Sequence, residues 1–225
     1  MAHDGILLTL QNEYPLFGWL GCLLIFSASL IAALAYRGKD GERYSVFNHY
    51  ISELGEIEVS RLAWVFNFGL IFGGVLFVLM MIGLGLRMAS VWGLVASGMG
   101  VIAGVFCALV GVFPMNQMKQ HSFVAMTYFR AGLLTVLFYT IAVFTQPADG
   151  RVLPLYVNIF SLLAFLSYAL FIILVDRAEK QKNSEETVLD TSEVVRRQKF
   201  WIIPFLEWLV FLTTLLWFLA VAIAG

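Results

Sequence analysis

Residues 62–86 read LAWVFNFGLIFGGVLFVLMMIGLGL, and after Arg87-Met88-Ala89 residues 90–112 read SVWGLVASGMGVIAGVFCALVGV. Neither stretch contains a charged side chain. At about 1.5 Å of rise per residue each helix would reach roughly 35 Å, enough to cross a hydrocarbon core of about 30 Å. Leu, Ile, Phe and Ala follow one another without the period-two alternation of a barrel strand. Helices, which satisfy their own backbone hydrogen bonds, are therefore the expected spanning form. So short a connection makes the two helices antiparallel neighbours.

Working outward, four more apolar stretches of similar length lie at about 16–36, 123–145, 153–175 and 200–224. The expectation is an all-α polytopic membrane protein, a bundle of six transmembrane helices forming one domain over residues 1–225. Composition agrees: 60% hydrophobic residues, 13% charged residues and a mean hydropathy of +0.86 leave too little polar surface to cover a soluble domain of this size. The opening segment lacks the basic region and small-residue site of a cleavable signal peptide, so the first span is expected to stay as an anchor.

Orientation follows the positive residues rather than the net charge of −1. The side reached after the first span holds Arg37, Lys39, Arg43, Arg61, Lys119, Arg177, Lys180, Lys182, Arg196, Arg197 and Lys199; the opposite side holds only Arg87 and Arg151. That side is predicted to be cytoplasmic, with both termini outside. Cys22 and Cys107 fall at depths about 15 Å apart, so no disulfide is expected between them.

Small residues mark packing faces. Gly69 and Gly73 form one small-x-x-x-small pair, and Ala96, Gly100, Gly104 and Ala108 make a stripe along the third span. Such faces serve internal packing or a homo-oligomer equally well. Pro114 should end the third span. Trp64, Trp92, Trp201, Trp208 and Tyr36 fall near span ends, as interfacial anchors do. No phosphate loop, dinucleotide fingerprint, repeat or low-complexity tract occurs, and no nucleic-acid partner is expected.

The polar residues gather on the predicted cytoplasmic side. In Asn48-His49-Tyr50-Ile51-Ser52-Glu53-Leu54-Gly55-Glu56 the apolar Phe47, Ile51 and Leu54 recur at helical spacing, predicting a short helix that lies at the interface or dips into the bundle and stops at Gly55. Asn116 and His121 occupy the turn after Pro114. The last loop, from Asp176 to Lys199, is mixed in charge, with Ser184-Glu185-Glu186 and Thr191-Ser192-Glu193 resembling cap signals.

Two charges fall inside spans. Arg130 and Glu207 should both sit about 10 Å below the cytoplasmic surface, and a mutual ion pair, with Asn67 as a further partner, is the economical expectation. The bland reading is that the pair only sets helix register, or that Arg130 snorkels outward. His49 and Glu53, four residues apart, would share a helix face, and with His121 they supply enough ligands for a divalent metal such as zinc with an open water position. Ser52 beside them invites a nucleophile reading with His121 as base and Glu53 as orienter.

With Ile51-Ser52-Glu53-Leu54-Gly55 between the first two spans, Asn67 in the second, and Gly111, Phe113, Pro114 and His121 around the end of the third, the chain resembles the domain-of-unknown-function 998 family of prokaryotic membrane proteins. The resemblance covers roughly residues 16 to 175 and implies a prokaryotic cell membrane and a shared constellation of Ser52, Glu53, Gly55, Asn67, Pro114 and His121. It implies no activity. For many members it also implies a start inside the cell, whereas the Lys and Arg count here places the start outside, and the count is followed.

The functional expectation is a polar pocket of His49, Ser52, Glu53, Asn67, Asn116, His121, Arg130 and Glu207 that binds a membrane lipid headgroup or small amphiphile, with Arg130 neutralising an anion. The alternatives are a metal-dependent hydrolase acting on a lipid ester or phosphodiester through His49, Glu53 and His121, and a small-solute transporter using Arg130 and Glu207.

Overall fold

A computed structural model describes residues 2–185 and 199–225, with side chains from residue 5 to 181 and from 199 onward. Its six long helices are α1 (Ala2–Ala35), α2 (Ala63–Met88), α3 (Val91–Val112), α4 (Met118–Thr145), α5 (Val157–Glu185) and α6 (Ile202–Ala224). Two short 3-10 helices, Ile51–Gly55 and Met115–Gln117, lie at one end of the bundle. All six long helices are long and apolar enough to cross a membrane. The chain is an all-α, multi-pass integral membrane protein.

Consecutive helices pack as antiparallel neighbours, and α1 meets α6 to close the ring. Inside the ring, Phe77 of α2 stacks on Phe218 of α6 with ring centroids 3.8 Å apart, and Trp217, Tyr139, Met80 and Met81 fill the space around them. The outer faces present Leu23, Phe26, Phe68, Phe72 and Leu162, among others, to the surroundings. Apolar surface on both the inner and the outer faces suits a bilayer, where close van der Waals packing rather than exclusion of water joins the helices.

Glycine makes that packing possible. A Cβ on Gly69 or Gly73 would run into Ala28 or Ile25 of α1, and one on Gly74 would strike the Gly104–Ala108 backbone of α3. The predicted small-residue faces thus pack helix on helix within the bundle. The α2–α3 connection is as tight as expected: Ala89 adopts a left-handed φ of 45° and returns its N–H to Gly85, while the Ser90 hydroxyl caps α3 by accepting the Gly93 N–H. Both cysteines are free and buried.

Boundaries differ from expectation in three helices. α1 begins at Ala2 rather than near residue 16 and runs through Pro15. The proline removes one hydrogen bond, and packing of Leu10 and Tyr14 against Gly83 of α2 carries the helix on. α4 starts five residues early, directly from the 3-10 helix after Pro114. α5 continues past its apolar part to Glu185 as a polar extension. The Thr191-Ser192-Glu193 signal, Arg196 and Arg197 lie outside the described residues; of the Ser184-Glu185-Glu186 signal only the helical backbone of the first two residues is described.

The aromatic-belt expectation also needs revision. Trp64 and Trp92 are exposed, as anchors should be, but Tyr36 is only 1% exposed and points inward.

Candidate functional site

The long loop after α1 folds back as a polar plug in one end of the ring. The predicted helix there is a 3-10 helix, Ile51–Gly55, all five of whose residues are buried. Phe47 stays outside it, stacked on Phe205 of α6 at 6.1 Å. A single 3-10 turn leaves most of its own N–H and C=O groups without local partners, so burial demands partners from elsewhere.

Those partners are the polar residues the sequence singles out. Glu53 turns back on its own helix: Oε1 accepts the Tyr50 N–H at 2.9 Å, and Oε2 accepts the Tyr36 hydroxyl at 3.3 Å. Glu207, reaching in from α6, accepts the Ile51 N–H at 2.7 Å, with the Ser52 N–H and hydroxyl beside the same carboxylate. At the other end the Asn67 amide donates to the Gly55 carbonyl at 3.0 Å. A Cβ at residue 55 would collide with the Asn67 side chain and the Phe66 ring, so the close approach requires glycine.

Asn116 and Ile57 form a reciprocal pair, Ile57 N–H to Oδ1 and Nδ2 to the Ile57 carbonyl, each at 2.7 Å, which ties the loop to the α3–α4 turn. His121 secures that turn from α4: its Nδ1 donates to the Phe113 carbonyl at 2.8 Å. His49 is buried between Tyr36 and Tyr44, with ring centroids 5.4 and 5.1 Å away, and its Nδ1 lies 2.7 Å from Asn48 Oδ1.

Arg130 does not join this constellation. It is exposed on α4 and meets Asp176 of α5 at 3.3 Å, so the expected Arg130–Glu207 pair is absent. Backbone N–H dipoles of the plug solvate the Glu207 carboxylate in its place. They are already ordered by the fold, whereas a guanidinium would have to be desolvated. The expected Asn67 contact to that pair is replaced by its bond to Gly55.

The metal and nucleophile arrangements are also not assembled. His49 precedes the 3-10 helix, so it does not share a helical face with Glu53, and both Glu53 oxygens already accept hydrogen bonds. Among the described residues no group of three His, Cys, Asp or Glu is placed to hold a metal ion. Ser52 faces Glu207, and the Nδ1 of His121 is taken by Phe113, so no Ser52–His121–Glu53 relay forms.

Three aromatic side chains complete the plug without having been marked by the sequence as site residues. The Tyr44 hydroxyl donates to the Tyr50 carbonyl at 2.9 Å and accepts from Trp208 Nε1 at 2.7 Å. Burial, foremost, raises the Tyr44 phenol above its ordinary pKa; it likewise pushes the Tyr50 phenol up to about 12, with the nearby Glu207 and Glu53 charges adding to it. Both phenols therefore keep their protons at neutral pH. Only three tyrosines clustered about one loop hinted at this use.

Beside the plug, between α4, α5 and α6, lies a cavity of about 420 Å³. Its polar lining is Tyr50, Ser52, His121, Ser122, Glu179 and Glu207. Its walls are apolar, among them Met115, Met118, Met126, Phe129, Phe171 and Ile203. The structure thus brings Ser52, His121 and Glu207 to one cavity and leaves His49, Glu53, Asn67 and Asn116 as its supporting frame.

A family model described as "Protein of unknown function (DUF998)" matches residues 19–224, which include every residue of the plug and the cavity. No curated protein and no solved structure matches the chain.

Proposed function

The chain belongs to the DUF998 family of proteins of unknown function, and from that premise we propose that it binds a membrane amphiphile in the cavity beside the plug, on the cytoplasmic side of a prokaryotic cell membrane with both termini outside. The observation that carries this reading is the cavity itself. Its lining combines the buried hydrogen-bonding groups of Ser52, His121 and Glu207 with aliphatic, methionine and aromatic surface, and the volume suits a small ligand or the head and upper chain of a lipid. Methionine walls adapt to chains of different shape.

The orientation rests on the excess of Lys and Arg on the plug side. The described Arg and Lys side chains there would face anionic headgroups of the inner leaflet while the cavity takes its ligand from within the leaflet.

The test is organic extraction of the purified chain followed by mass spectrometry, beside a Met118→Trp variant that fills the cavity from its wall. A stoichiometric amphiphile retained by the wild type and lost in the variant is the expected result. Equal retention by both proteins would sink the reading, because the bound lipid would then lie elsewhere.

A further inference from the structure

We infer that the ligand's polar end is a hydrogen-bond-donating cation, a primary ammonium carried on an apolar chain; this rests on the amphiphile reading of the same cavity.

The argument is a count of donors and acceptors. Glu207 is 6% exposed, and its Oε2 accepts the Ile51 N–H with the Ser52 N–H and hydroxyl beside the same group, so it presents acceptor oxygens. His121 is 7% exposed, and a carbonyl on its Nδ1 forces the proton onto that nitrogen. In the neutral ring Nε2 then offers a lone pair and has no partner among the described residues. Both groups line the cavity, and the hydroxyls of Ser52, Ser122 and Tyr50 beside them can accept as readily as donate.

No Lys or Arg lines the cavity among the described residues, whereas Glu207 and Glu179 both do. A phosphate or carboxylate head would enter against the Glu207 and Glu179 carboxyl groups with no lining cation among the described residues to offset it. An ammonium brings three donors to the Glu207 carboxyl oxygens and the fixed His121 lone pair, and leaves its chain among Met115, Met118 and Phe129. The same chemistry is offered by an ethanolamine-type lipid headgroup and by a free long-chain amine.

The test uses the full chain in phosphatidylcholine nanodiscs with three photoactivatable ten-carbon probes: an ammonium, an alcohol and a phosphate. Labelling of residues 115–126 is read relative to labelling of the lipid-facing Phe68–Phe72 segment, which corrects for partitioning. The ammonium should label the cavity at least about tenfold more than either other probe, as one charge-assisted hydrogen bond would give. That preference should fall in Glu207→Gln, and Met118→Trp should abolish cavity labelling even if the first variant folds poorly.

Equal cavity labelling by all three probes would overturn the ammonium assignment and leave the amphiphile site standing. No cavity labelling by any probe would overturn both. Competition by phosphatidylethanolamine would identify a lipid as the source, and competition by free decylammonium alone a soluble amine; either outcome supports the ammonium class.

Discussion

The Glu207 carboxylate on α6 accepts the Ile51 N–H at 2.7 Å across 156 residues of sequence. This contact joins the last helix to the loop between the first two. It also places a buried carboxyl group in the lining of the cavity.

Replacing Glu207 by leucine would orphan the buried Ile51 N–H, at a cost of about 1–3 kcal/mol, whereas glutamine keeps an acceptor oxygen. Thermal unfolding in detergent should therefore rank wild type above Glu207→Gln, and Glu207→Gln above Glu207→Leu. A leucine variant as stable as wild type would show that the plug does not depend on this contact.

Gly55 and Asn67 should behave as a unit. Gly55→Ala pushes a methyl into the Asn67 amide, and Asn67→Ala removes the donor from the Gly55 carbonyl, so each change damages the same contact. A double-mutant cycle should give a coupling of about 0.5–3 kcal/mol, with the double variant little worse than the poorer single one. Additive losses would separate the two residues.

Arg130→Ala should cost little. Its pair with Asp176 is largely exposed, 59% on the arginine side, and exposed pairs contribute about 0–1 kcal/mol. Breaking a buried pair with Glu207 would instead cost about 3–5 kcal/mol, so a single denaturation comparison distinguishes the two arrangements.

His121→Ala removes the donor to the Phe113 carbonyl, and a loss of about 1 kcal/mol is expected. Chelator should leave wild-type stability unchanged, because His121 is not brought together with His49 and Glu53. Elemental analysis of both proteins, purified without chelator or affinity tag, checks this: a near-stoichiometric metal lost in the variant would contradict the geometry described above.

The number of helices was legible because spanning a bilayer is a local property: uncharged length suffices, as in residues 62–86. The tight α2–α3 turn and the end of α3 at Pro114 were equally local. Helix ends were less legible where tertiary contact outweighed a local signal, as when packing of Leu10 and Tyr14 on Gly83 carried α1 through Pro15.

Site membership was partly legible. Polar residues on one side of an otherwise apolar chain have few places to go, so Ser52, Glu53, Asn67, His121 and Glu207 stand out in the sequence itself. Their pairing was not legible. Equal depth put Arg130 and Glu207 together, but depth fixes only one coordinate of a helical residue, and the rotation of α4 and α6 turned one outward and the other inward.

From the sequence alone come the membrane-spanning class, the antiparallel order of neighbouring helices and the end of the bundle at which polar groups collect, because each depends on hydrophobicity and length along a single segment. Only the tertiary structure decided that Ile51–Gly55 is a buried plug, that Glu207 is held by backbone N–H groups rather than by Arg130, and that Ser52, His121 and Glu207 face one cavity. Those outcomes depend on how the ring of helices closes, which sets each helix's rotation and lets residues far apart in the chain satisfy one another's hydrogen bonds.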